Sequence, residues 1–297
     1  MKKTVLLLFL AIHAVCFSAV AQSRMPEVKI APRQDNKENK DSLEFEERPY
    51  FLLIDQSEKA LENGDYEAAA LRLVEAMGVE PDNALNVALL SNLGMIYYYN
   101  EQDSLALVVL DKAIERSPRL IAPREGRARI LLGLGRDKEA YAEYENVLSI
   151  DSINTEARFI HGTMSLYNGQ LQKALDDIAV LDRVIPASTK TMLLKATMYS
   201  LTGEELEAVS LFRKLIELEP APEYYSRLTA CLLVLDQLGE VSDTIGNWIE
   251  KYPKDAEAYY YRAILNKKRY MNEDAHRDAK HAIELGIDKA KVLSIFQ

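Results

Sequence analysis

Residues 121–154, IAPREGRARILLGLGRDKEAYAEYENVLSIDSIN, read as two short amphipathic helices joined by a break. Ala128, Leu131 and Leu132 give the first helix an apolar face. Ala140, Tyr144, Val147 and Leu148 give the second its own, at the i, i+4, i+7, i+8 spacing of one helical side. Gly133-Leu134-Gly135 interrupts the two, and Asp151-Ser152 turns the chain out of the second. The same sentence starts again at Thr155 and at Thr189 with no insertion, a period of 34 residues. Two such helices on a tight turn cannot bury their apolar faces alone, so successive copies must stack. The expected architecture is therefore an all-α array of helix pairs.

Working outward, the pattern divides residues 49–287 into seven copies: Tyr50–Asn83, Val87–Leu120, Ile121–Asn154, Thr155–Ser188, Thr189–Pro222, Glu223–Asp255 and Ala256–Ile287. Three residues, Ala84 to Asn86, separate the first two. The sixth copy is one residue short and places Gly246 where a large side chain belongs, which marks it as the expected weak point of the stack. Residues 288–297 begin with a helix-capping Asp288 and carry Val292, Ile295 and Phe296. They read as a short final helix covering the last copy.

The recurring residues resemble the tetratricopeptide repeat family. Its pattern has Leu-Gly at positions 7–8, Tyr at 11, Gly near 15, Ala at 20, a large residue at 24, Ala at 27 and Pro at 32. The second copy carries this most fully, in Leu93-Gly94, Tyr97, Ala106, Leu110, Ala113 and Pro118. The fifth follows with Ala196, Tyr199, Gly203, Ala208, Phe212, Leu215 and Pro220. The resemblance implies a right-handed superhelical solenoid in which positions 8 and 20 meet, so that Gly94 faces Ala106 and Ala196 faces Ala208. These are packing residues, so the resemblance speaks to fold far more than to function.

The ends and the composition set further bounds. Of the 297 residues, 48% are hydrophobic and the net charge is −10, which argues against nucleic-acid binding. Lys2 and Lys3, an apolar run from Val5 to Val20, and Ala19-Val20-Ala21 make residues 1–21 a secretory signal peptide, with export to the periplasm or cell envelope. Lipid anchoring through Cys16 fits less well, because His13-Ala14-Val15 precede it. The apolar run is too short to span a bilayer, and no membrane span is expected in the mature chain. Residues 22–48 mix charges with Pro26 and Pro32 and read as a disordered charged linker.

Tests for chemistry return little. His276 and His281 are five residues apart and diverge on a helix. His161 falls on a packing position, and Cys231 among Leu232, Leu233 and Val234 reads as a buried, inert thiol. Asp176-Asp177 reads as a solvated helix surface. HExxH, P-loop and GxSxG patterns are missing. The chain is accordingly read as non-enzymatic, with no cofactor and no metal.

What remains is surface. In the resembled family, first-helix positions 2, 5, 9, 12 and 13 line a concave groove. Carried over, they give Ser91, Met95, Tyr98 and Tyr99, then Glu125, Arg129 and Leu132, then Phe159, Thr163, Leu166 and Tyr167, then Leu193 and Thr197. Tyr224, Arg227 and Tyr260 follow. Aromatic residues, Met and Arg are the types enriched at interfaces. The reading is a groove for a peptide or protein partner, with Met95, Tyr98, Tyr99, Arg129, Phe159, Tyr167, Tyr224 and Arg227 as contacts. The competing readings are aromatic packing between neighbouring first helices, and a glycan- or small-ligand-binding envelope protein. The family's carboxylate-clamp set is matched only by Asn92. Arg116, Arg119, Arg124, Arg127, Arg129 and Arg136 concentrate positive charge, either paired with acidic neighbours such as Glu115, Glu125 and Glu139 or open to an acidic partner.

Overall fold

A computed structural model describes residues 48–296. The signal-peptide reading of 1–21, Cys16 and all but Arg48 of the linker lie outside the described residues. Fifteen α-helices and no strand occur among those described. They are α1 (Pro49–Glu62), α2 (Tyr66–Val79), α3 (Asn86–Tyr99), α4 (Asp103–Arg116), α5 (Ile121–Gly133), α6 (Asp137–Ile150), α7 (Thr155–Tyr167), α8 (Leu171–Val184), α9 (Thr189–Thr202), α10 (Glu205–Leu218), α11 (Pro222–Val234), α12 (Leu238–Lys251), α13 (Ala256–Lys268), α14 (Asn272–Glu284) and α15 (Lys289–Leu293). A 3₁₀ turn, Ser294–Phe296, follows. The chain divides into two compact units, one up to Ala157 and one from Arg158, with the division inside α7.

One turn closes every helix pair. Gly64, Glu101, Gly135, Gly169, Gly203, Asp236 and Tyr270 all have positive φ, between 56° and 85°. The next residue donates its N–H to the carbonyl five residues back: Asp65 to Ala60, Gln102 to Tyr97, Arg136 to Leu131, Gln170 to Ser165, Glu204 to Tyr199, Gln237 to Leu232 and Met271 to Asn266, at 2.8–3.0 Å. This is the Schellman closure, which satisfies helix-end carbonyls and reverses the chain.

The seven turns also fix the register. Their intervals are 37, 34, 34, 34, 33 and 34 residues. The 37 contains the extra Ala84–Asn86, and Asn86 is not idle there. Only 2% exposed, it accepts from the Tyr50 hydroxyl at 2.9 Å and donates to the Glu80 and Pro81 carbonyls.

The 33 locates the missing residue before α11, not within the sixth copy. That corrects the sequence reading by one position. Thr229, not Ala230, takes the small position opposite Val241, and Ile245, not Gly246, takes position 24. Val241, Ile245 and Trp248 are at most 1% exposed, while Gly246 faces open space. Trp248 stacks on Tyr225 and donates its indole N–H to Asp255 at 3.0 Å. The expected weak point is thus a filled core.

In the first unit, α1 packs on α2, α3 on α4 and α5 on α6, and α3 also meets α5. Tyr50, Leu73, Leu89, Leu93, Ile96 and Val109 form its main core. Gly94 is required for a different reason than expected. A Cβ there would lie 2.5 Å from Leu110 Cγ, so its bareness admits Leu110 at position 24. In the second unit, α9 packs on α10, α11 on α12 and α13 on α14. Phe212, Leu215, Leu228, Leu232, Val241 and Ile245 form a core there. Asp288 caps α15, and Val292 is fully buried beside Tyr260, Ala263 and Ala279.

A second recurrence is polar. In the third, fourth and seventh copies, a base at position 7 meets an acid at position 23, always 16 residues on. Arg127 donates to Glu143 at 2.9 Å, His161 Nδ1 lies 2.6 Å from Asp177, and Arg262 holds Asp278 with two bonds of 2.9 and 2.6 Å. Position 4 adds a second base in two of them, Arg124 to Glu143 at 3.1 Å and Arg158 to Asp177 at 2.6 Å. Glu143, Asp177 and Asp278 are 8%, 0% and 2% exposed. Asp177 is therefore not the solvated carboxylate the sequence implied, although Asp176 is exposed.

Two measurements check these points. Asp177→Ala leaves Arg158 and His161 facing an empty acid site and is expected to cost about 3–5 kcal/mol in urea unfolding. Glu139→Ala, which removes the exposed Arg136 partner, is expected to leave the midpoint unchanged. Tyr270→Gly relieves a left-handed tyrosine that is 90% exposed, and is expected to stabilise by about 0.5–1 kcal/mol, while Gly203→Ala destabilises by a similar amount.

Candidate functional site

The first unit gathers its candidate residues around Arg129. Tyr99, at the end of α3, stacks on Tyr66 of α2 with centroids 6.1 Å apart, and Tyr98 lies 5.8 Å from Tyr99. Burial raises the Tyr99 phenol pKa, opposed by the charge of Arg129 and a hydrogen bond from it. Glu125, one helical turn before Arg129 on α5, also lies within its electrostatic reach. Its carboxyl pKa is raised by burial, and Asn154 donates to it at 3.0 Å. Glu156 and Asp151 lie close enough to raise it further. Beneath them the Tyr144 phenol is 2% exposed, and burial raises its pKa. The result is a half-buried guanidinium flanked by stacked tyrosines and by carboxylates.

Met95 and Tyr98 are placed differently. The Met95 sulfur would meet a Cβ on Gly126 at 3.0 Å, and the Tyr98 hydroxyl a Cβ on Gly133 at 2.7 Å. Both side chains therefore bridge α3 to bare positions of α5. For these two, packing between neighbouring first helices accounts for much of their surface. The remaining arginines are largely spoken for. Arg124 and Arg127 bind Glu143, Arg127 also binds Asp111 at 2.7 Å, and Arg136 binds Glu139. Glu143 and Asp111 were not legible as partners, because Glu143 meets Arg124 and Arg127 only across the closed α5–α6 pair and Asp111 meets Arg127 only where α4 packs on α5 of the next copy.

The second unit has its own polar group. Arg227 Nε donates to Glu223 at 3.2 Å, and Nη2 to the Tyr167 hydroxyl at 3.4 Å. Burial, Glu223 and Glu219 raise the Tyr224 pKa, and Arg227 opposes them. With the corrected register, Tyr224 and Arg227 stand at positions 3 and 6 of their copy, not 2 and 5. Phe159 packs partly against the core of Leu166, Ile178, Leu181 and Leu194. Tyr260 is 8% exposed, with Lys291 of α15 over its ring at 4.9 Å.

Beside Arg227, Cys231 is 2% exposed, and its thiol is pushed up to about 12, first by burial and then by Glu205. Glu205, whose carboxyl pKa is raised by burial, was not legible as a neighbour of Cys231 from sequence. No helix among the described residues is long and apolar enough to cross a membrane.

No protein-family model matches the chain, and no curated protein matches it. Solved structures do. A tetratricopeptide repeat protein from Parabacteroides merdae is 25% identical with a TM-score of 0.70, over 83% of this chain and 97% of that one. PilW, a type IV pilus biogenesis factor, is 16% identical with a TM-score of 0.62, over 72% of this chain and all of that one. PilF of Pseudomonas aeruginosa is 15% identical with a TM-score of 0.57, over 71% of this chain and 96% of that one. The fold is that of these repeat proteins.

The thiol supplies a direct check. In a Cys16→Ser chain, Cys231 is expected to resist Ellman's reagent at pH 8 for hours in buffer and to react fully in urea. Stoichiometric labelling within minutes in buffer would contradict the burial described.

Proposed function

Because the chain is a tetratricopeptide repeat protein, we propose that it is a non-catalytic interaction module that holds a protein or peptide partner on the concave positions of its first helices. The supporting observation is the Tyr66–Tyr99–Arg129–Glu125 group of the first unit. Tyr66, Arg129 and Glu125 have no counterpart in the other copies and Tyr99 has one only in Tyr167, so stacking of the repeats does not require them. Arg129 keeps a donor fork beside a stacked tyrosine pair, a combination that suits a carboxylate and an adjoining apolar or aromatic side chain. In the second unit Tyr167, at a concave position, accepts a hydrogen bond from Arg227, which the corrected register sets one place off those positions. The role of PilW as a type IV pilus biogenesis factor is compatible with such a module, and so is the proposed export through residues 1–21 to the cell envelope.

The experiment is partner capture from the envelope fraction of the native host, with the purified mature chain, expected to begin at Gln22, as bait. Tyr99→Ala combined with Arg129→Glu is expected to lower capture of the specific partner by at least about tenfold. Tyr98 is left intact because it packs on α5. Unchanged capture by the double variant sinks the proposal. Tight, saturable binding of a glycan that the same variant abolishes would favour the ligand-binding alternative.

A further inference from the structure

The seven turns allow the outward faces of the second helices to be compared place by place. Seven residues beyond the left-handed position stand Leu71, Val108, Ala142, Asp176, Ser210, Asp243 and Arg277. Only the first two are large and apolar, and they are 53% and 50% exposed. One helical turn to either side adds Val74, 45% exposed, and Leu105, 42% exposed. The equivalents of Leu105 in the later copies are Glu139, Lys173, Glu207, Glu240 and Asp274. α2 and α4 both pack on α3. Leu71, Val74, Leu105 and Val108 are therefore exposed apolar side chains on two successive second helices of the first unit, at places where the five later copies present polar or small residues. Single exposed leucines need no explanation, but four apolar side chains at matching places on two successive helices mark an interaction surface.

Charge selects the occupant. Residues 66–116 carry eight carboxylates (Glu67, Glu75, Glu80, Asp82, Glu101, Asp103, Asp111, Glu115) against Arg72, Lys112 and Arg116. Arg72 is itself paired with Glu75, Arg127 with Asp111 and Arg48 with Glu80, which leaves Glu67, Asp82, Glu101, Asp103 and Glu115 against Lys112 and Arg116. A second copy brought face to face would set acidic border against acidic border, and an anionic membrane would be repelled likewise. We propose that the outer face of α2 and α4 docks an amphipathic helix of a partner protein whose apolar stripe is bordered by lysine or arginine. Such a helix offers anchors at i, i+3, i+4 and i+7 to these apolar side chains and cations to the carboxylates of the same helices. This surface is separate from the concave positions and does not depend on them.

The test uses the full chain and a fluorescent synthetic peptide of about 18 residues, some five helical turns, with a leucine stripe bordered by lysine. A control peptide has glutamate for every lysine. Fluorescence anisotropy is expected to show the lysine peptide binding at least about tenfold tighter than the control. Leu71→Lys with Val108→Lys, both at exposed sites, is expected to weaken that binding by about tenfold or more with the circular dichroism unchanged. Tyr99→Ala with Arg129→Glu is expected to leave it unaltered.

Equal binding of the two peptides overturns the proposal, as does an unaffected Leu71→Lys/Val108→Lys chain or a loss confined to the concave variant. A dimer in sedimentation equilibrium that Leu71→Lys/Val108→Lys dissociates would give the face to a second copy. Tighter peptide binding by about tenfold on deleting residues 22–47 would give it to the chain's own leader. Either result replaces the occupant proposed.

Discussion

Everything in this protein hangs on one backbone event, the left-handed residue that closes each helix pair. It aims the second helix back along the first and ties the following N–H to a carbonyl of the preceding turn. Once closed, the pair brings residues 16 and 19 apart in sequence into contact, and only then do position 7 and position 23 become partners. Glycine supplies the conformation without steric cost in four copies. Glu101, Asp236 and Tyr270 adopt it against their preference, which shows how strongly the stacked neighbours impose the turn. Tertiary packing here overrides a local cost of about 1–2 kcal/mol.

The closed pairs are held by two kinds of core. Where positions 7 and 23 are apolar, as Leu93 and Val109, the contact is hydrophobic burial. Where they are Arg127 and Glu143 or Arg262 and Asp278, the same place holds a hydrogen-bonded ion pair, and where they are His161 and Asp177 it holds a hydrogen bond whose acid is also paired with Arg158. Burying charge is costly unless the geometry is good, so these contacts add more to which helix meets which than to net stability. Neighbouring copies thus differ in chemistry at an otherwise equivalent position.

Function follows the same division between what recurs and what does not. Recurring positions are consumed by closure and stacking. Surface chemistry appears where a copy departs from its siblings: Tyr66, Tyr99, Glu125 and Arg129 on one side of the first unit, Leu71 and Val108 on the other, and Tyr167 with Arg227 in the second. Tyr98 and Met95 illustrate the limit of position counting. Both occupy nominal groove positions, yet each leans onto a glycine of the next first helix, a contact that depends on Gly126 and Gly133 being bare.

The amino-acid pattern alone determined the helix pairs, their period, the all-α stacking and the places where first-helix side chains gather, because apolar spacing and turn residues are local signals. It misplaced the sixth copy by one residue, because a deletion in a loop leaves no local mark and only the spacing of closed turns reveals it. It took Asp177 for a solvated surface acid, because burial by Arg158 and His161 requires the pair to be closed. It named Arg129 but not its Tyr66, Asn154 and Glu156 surroundings, and it passed over the exposed apolar side chains of α2 and α4. Those groups are assembled from side chains far apart in sequence, so only the tertiary structure could decide them.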